Sequence, residues 1–135
     1  MTVELDRMLQ RVVGEVFGPD VDVTYSADAK SPHVHRVELA ARGSGRRVGL
    51  RASYGWLDVT MFDLGVSATV FDEDDEERDK EAALRALALV ARAYLDGVGD
   101  VIQKRGILRS RPVLRIVVDG REWELGRRTS RVPAV

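Results

Sequence analysis

Arg47-Val48-Gly49-Leu50-Arg51-Ala52, Trp56-Leu57-Asp58-Val59-Thr60-Met61 and Val66-Ser67-Ala68-Thr69-Val70 follow one another, parted by Tyr54-Gly55 and by Asp63-Leu64-Gly65. In each segment every second residue is apolar: Val48, Leu50 and Ala52, then Leu57, Val59 and Met61, then Val66, Ala68 and Val70. A period of two sends alternate side chains to opposite faces, so the pattern predicts strands with one buried face. The breaks are short and contain glycine, which predicts hairpin turns and antiparallel neighbours. Upstream, Val37, Leu39 and Ala41 alternate with Arg36, Glu38 and Ala40, and Val21, Val23 and Tyr25 alternate with Asp22 and Thr24. Gly43-Ser44-Gly45 supplies another tight turn, while Ala27 to Pro32 is a looser connection. Five consecutive segments of this kind form a meander with one apolar side.

Two stretches of different period flank the meander. Over residues 3–17, Leu5, Met8, Leu9, Val12, Val13, Val16 and Phe17 recur at spacings of three and four. That predicts an amphipathic helix, with Thr2 as its cap and Gly18-Pro19 as its stop. A second helix is expected from Asp74 or Asp75 to about Leu95, ended by Gly97-Val98-Gly99. It is apolar around most of its circumference, with a polar stripe at Arg78, Glu81, Arg85, Arg92 and Asp96, as a buried helix is. Val113 to Val118, Asp119-Gly120 and Arg121 to Leu125 close the chain as a hairpin, Asp-Gly being a strong turn signal. The expected fold class is α+β: an antiparallel meander sheet packed by two helices, with a C-terminal β-hairpin. Residues 1–126 read as a single domain and 127–135 as a flexible tail.

Composition narrows the function classes. The 135 residues carry 44% apolar and 32% charged side chains and a formal net charge of −1, which describes a globular domain with a charged surface. Cysteine is absent, which excludes disulfides, thiolate nucleophiles and thiolate metal sites. Met1 to Arg7 holds charges where an export signal needs an apolar core, and the most apolar run, Ala82 to Leu95, is broken by Arg85 and Arg92. A cytoplasmic location without membrane attachment is therefore expected. Arginine far outnumbers lysine, which occurs only at positions 30, 80 and 104, a bias that points to a GC-rich bacterial genome.

No residue set spells out chemistry. His33 and His35 fall on one side of a strand start, but no third ligand is tied to them, so no metal is expected. There is no nucleophile elbow, no glycine-rich phosphate cradle, and no way to single out a carboxylate pair among so many acids. No catalytic residue and no cofactor are expected. The unusual feature is Asp72-Glu73-Asp74-Asp75-Glu76-Glu77. One or two acids suffice to complement a helix N-terminus, so six in succession suggest a solubilising or interacting surface. From Lys104 onward bases outnumber acids nine to three, but Trp123 is the lone aromatic there and the acidic run repels phosphate, so nucleic acid is not an expected partner. Trp56 and Phe62 have the opposite parity to Leu57, Val59 and Met61, so they face away from the core side or under a helix; exposed aromatics on a sheet mark a contact surface.

The opening helix, the meander with Gly55-Trp56-Leu57-Asp58-Val59, the acidic connection, the long Ala/Leu-rich helix and the closing hairpin at Val118-Asp119-Gly120-Arg121 together resemble the small cytosolic immunity proteins of bacterial polymorphic toxin systems. The resemblance is one of organisation across most of the chain. It implies a stoichiometric inhibitor that covers a toxin's active site, with an acidic loop steering association with a basic toxin. The leading expectation is a non-catalytic protein-binding domain using Asp72, Glu73, Asp74, Asp75, Glu76 and Trp56. Two others stand beside it: a small-ligand or enzymatic domain with a pocket between sheet and helices, and a structural homodimer closed by sheet edges or outward aromatics.

Overall fold

The computed structural model describes residues 4–27, 33–71, 77–105 and 110–126. In chain order the elements are α1 (Leu5–Val16), β1 (Val21–Ala27), β2 (His35–Ala41), β3 (Arg47–Ala52), β4 (Trp56–Met61), β5 (Val66–Phe71), α2 (Glu77–Leu95), β6 (Asp100–Arg105), β7 (Ser110–Val118) and β8 (Arg121–Leu125). β1 to β5 form the expected antiparallel meander in sequential order. Its registers align the apolar positions across the strands: Leu39 faces Val48, Leu50 faces Val59, and Val59 faces Ala68. These side chains are fully buried and merge with the apolar stripes of α1 and α2 into one cluster. Turns follow their residues. Asp119 and Gly120 both take positive φ, 51° and 75°, the geometry of the two-residue hairpin that matches strand twist.

Two local expectations differ from the structure, and a third falls outside the described residues. Glu4, not Thr2, occupies the cap position of α1, and its side chain makes no capping bond there; Thr2 lies outside the described residues. Asp6 in the first turn supplies the negative charge that the helix start favours. The start expected for α2 near Asp74 falls outside the described residues, which resume at Glu77. The closing hairpin is widened by β6 into a three-stranded sheet, β6-β7-β8. Only Val101 and Ile102 of β6 are apolar, and they are adjacent, so the strand leaves no period-two trace. This second sheet meets the first where Ser67 N–H donates to the Gly126 carbonyl at 2.8 Å. Leu114, Ile116, Trp123 and Leu125 join the common core from that side.

α2 is held at both ends as well as along its buried face. Leu84, Leu87, Ala88, Val90 and Ala91 have no exposed surface. Near its start Lys80, also fully buried, donates from Nζ to the Tyr54 carbonyl in the β3–β4 turn at 2.8 Å. Near its end the Tyr94 hydroxyl donates to Asp63 Oδ2 at 3.0 Å, and Arg46 donates to the Tyr94 carbonyl at 2.9 Å with its guanidinium 4.7 Å from the ring centre. Gly97, at φ 89°, then reverses the chain: its N–H donates to the Tyr94 carbonyl and that of Val98 to the Ala93 carbonyl, a Schellman stop. The polar stripe expected on α2 is spent on neighbours: Glu81 pairs with Arg11, Arg85 with Glu15, and Arg92 with Asp20. α1 therefore lies beside α2 in the same layer. Among the described residues no helix is long and apolar enough to cross a membrane.

Removing the buried lysine has a definite expected cost. Lys80→Ala leaves a void and strips the Tyr54 carbonyl of a charged donor, so it should lower stability by about 3 kcal/mol, or roughly 10 °C in Tm; Lys80→Met, which keeps the volume, should lose less than half of that. Burial, then the hydrogen bond to Asp63 and the charge of Asp63, push the Tyr94 phenol up to about 12, against a smaller opposing pull from Arg46. The folded state favours the neutral phenol, so its contribution is whole below pH 10 and drains away as the pH rises from 10 towards 12. An ultraviolet titration of the native protein should find a tyrosine ionising near 12, and Asp63→Asn should bring that step down towards 10.

Candidate functional site: the outer face of the sheet

With both helices on one side, the other side of the meander stands clear of them. Strand alternation places on it Arg36, Glu38, Gly49, Arg51, Asp58, Thr60, Ser67 and Thr69, with Trp56 and Phe71 opposite one another at one end. Arg36 and Arg51 are direct cross-strand neighbours, a like-charge pair that is unfavourable by itself. Asp58, the next residue along that row, relieves it. Arg51 donates from Nε to Asp58 Oδ1 at 2.9 Å and from Nη2 to Oδ2, a bidentate bond to a carboxylate only 3% exposed. The same guanidinium lies 4.9 Å from the centre of the Trp56 ring. The Trp56 side chain is thus half-buried beneath an arginine that is itself locked in place.

Gly49 opens the centre of this face. A Cβ there would stand 2.7 Å from Cζ of Phe62, so the absence of a side chain is what lets the Phe62 ring lie across β3. Aromatic cover of a strand glycine restores packing that the glycine lacks. The Arg47 guanidinium lies over that ring, 5.5 Å from its centre. Between Phe62, Arg36, Glu38, Arg51 and Thr60, over Gly49, lies an open-sided hollow of about 250 Å³. Phe62 on its rim is about 40% exposed, and Phe71, at the end of the same face and the last described residue before the acidic run, is 72% exposed.

The residues expected to carry function are distributed as follows. Trp56 is on the outer face, as its parity requires. Asp72, Glu73, Asp74, Asp75 and Glu76 lie outside the described residues, although the chain enters that run directly from Phe71. His33 is exposed with its ring 6.3 Å from that of Tyr54, whereas His35 pairs with Ala52 in the sheet and is half-buried. Among the described residues no three His, Asp or Glu side chains gather closely enough to hold a metal ion. Tyr25 and Tyr94, whose ionisation the fold displaces upward, do not line the hollow. The basic carboxy-terminal third is partly neutralised within itself: Arg115 bonds Glu122 at 2.8 Å, and Arg121 covers the buried Trp123 ring at 4.8 Å.

Sequence reading placed Phe62 with Trp56 by parity but missed Gly49 and Phe71 as parts of the same surface. A glycine inside a strand pattern signals a close approach, and that signal was present. Which ring fills the gap depends on diagonal packing that alternation does not reveal. Compared with protein-family models, with curated proteins and with solved structures, the chain matches none of them.

The Arg51–Asp58 pair can be tested by stranding one partner. Arg51→Met leaves a buried carboxylate without its cation and should cost about 2 kcal/mol in chemical denaturation, less than a fully buried pair because Arg51 is 40% exposed. Adding Asp58→Asn to that variant should recover most of the loss, so the two changes should be strongly non-additive.

Proposed function

We propose that the protein is a non-catalytic binding domain that docks a basic protein partner on the outer face of its five-stranded sheet. The observation that carries this reading is the company of Trp56, Phe62 and Phe71 around paired charges on a sheet braced from behind by helices. Aromatic and arginine side chains held in fixed positions are the residues from which interface hot spots are made. The acidic run Asp72–Glu77 follows Phe71 directly in the sequence and supplies the negative charge that would select a partner with a basic rim. The concrete form of the reading is a bacterial cytoplasmic immunity protein that covers a basic toxin, as the organisation of the chain resembles.

The hollow fits this reading better than a ligand site. At about 250 Å³ it is smaller than the roughly 300–1,000 Å³ of typical small-molecule pockets, and it is open-sided. A single side chain of a partner, wedged between Phe62 and the arginines, matches its size. Between helices and sheet, where an enzymatic pocket was the rival expectation, the described residues pack buried apolar side chains.

Affinity capture from native lysate with mass spectrometry tests the proposal in three arms. The wild-type chain is expected to retain a basic protein. Trp56→Ala, and separately the reversal of Asp72, Asp74, Asp75 and Glu76 to lysine, should each lose it while keeping the native circular dichroism. Retention of that protein by both variants, or capture of no basic protein, would refute the docking surface.

A further inference from the structure

Among the described residues, the five-stranded sheet has one edge that the fold closes and one that it leaves open. At β5 the Ser67–Gly126 bond begins to carry the sheet on into β8. At the other end β1 is the terminal strand. Natural edge strands resist pairing with other chains by being short, bulged, or armed with lysine or proline. β1 has none of these: it runs seven residues, Val21-Asp22-Val23-Thr24-Tyr25-Ser26-Ala27, in unbroken register with β2. Its one charge, Asp22, is already held by Arg42 at 2.8 Å. By contrast β6, the corresponding edge of the second sheet, carries Asp100, Lys104 and Arg105.

The ladder also shows which groups face out. Arg42 N–H donates to the Asp20 carbonyl, so alternate pairs Asp22–Ala40, Thr24–Glu38 and Ser26–Arg36 bond toward β2. Val23 and Tyr25 therefore turn their N–H and C=O groups away from the sheet. Their side chains fall on the helix side, opposite Leu39 and Val37, yet remain 38% and 42% exposed. Polar backbone and apolar side chains are thus left uncovered together on one strand.

We infer that β1 pairs antiparallel with β1 of a second copy of this chain, joining two meanders into one continuous sheet. A two-fold axis through Thr24 sets Val23 of each copy opposite Tyr25 of the other, Asp22 opposite Ser26, and Thr24 against Thr24. No like charges meet, both apolar side chains gain a neighbour, and the outward N–H and C=O groups of Val23 and Tyr25 find each other. A symmetric contact of this kind is self-complementary and closes as a dimer. It uses an edge of the sheet, not the face that carries Trp56, and is independent of the docking proposal.

The register makes the test specific. The chain has no cysteine, so Thr24→Cys introduces a lone thiol. Across a non-hydrogen-bonded pair the two Cα atoms stand about 4.5 Å apart, within disulfide reach. Ser26→Cys lies off the axis, and its two copies are roughly 13 Å apart, beyond that reach. Under mild oxidation Thr24→Cys should convert to a covalent dimer at least ten times faster than Ser26→Cys. In sedimentation the wild-type mass should rise towards twice 15.0 kDa as loading increases from about 1 to about 500 µM, the range suited to a small interface. Tyr25→Pro removes an outward N–H without touching the β1–β2 ladder and should stay monomeric with unchanged circular dichroism. A wild-type chain monomeric throughout, equal oxidation of the two cysteine variants, or a Tyr25→Pro chain that dimerises like the wild type would overturn the inference.

Discussion

The constraint on which the structure depends is the seating of α2 across the inner face of the meander. Its buried residues meet the apolar parity of β3 and β4, and at about 25 cal/mol per Å² such burial is the main favourable term in folding. Burial alone leaves a helix free to slide. The Lys80 bond to Tyr54 at one end and the Tyr94, Asp63 and Arg46 cluster at the other tie it to three hairpin turns. Those turns join β2 to β3, β3 to β4 and β4 to β5, so the helix fixes the strands that make up the candidate site. α1 is then placed by its ion pairs to α2, and the second sheet by contacts of β7 with the same helix.

The proposed docking surface is the side of the sheet that the helices leave uncovered. On that side charge is managed by pairing: Arg51 with Asp58, Arg47 near Glu38 at 3.7 Å, Arg42 with Asp22. Paired charges offer specificity and little reactivity, while the aromatic rings among them offer apolar area at small entropic cost. The hollow over Gly49 adds shape to an otherwise flat surface. Recognition by a rigid, pre-arranged face loses less entropy on binding than recognition by a loop that must first order itself.

Much of this was legible from spacing. Alternation in β1 to β5 gave strand identity and facing, because a half-buried sheet has no other way to arrange its residues. Glycine-bearing turns gave the order. The face occupied by Trp56 followed from its parity. What spacing could not give was of two kinds. Edge strands such as β6 need little apolar content, so they leave little pattern. Tertiary pairings between distant residues, Lys80 with Tyr54 or Phe62 over Gly49, arise from geometry that no local window contains. Lys80 reads as another charge near a helix start, and only its position beneath a turn makes it a buried tether.

Native-state hydrogen exchange across a denaturant series measures the role of α2 directly. If the helix is seated as described, amides of residues 84–94 and those of β3 and β4 should open together, at one free energy equal to that of global unfolding. Exchange from α2 at a distinctly lower free energy, with the meander still protected, would show that the sheet stands without its helix and would contradict the account.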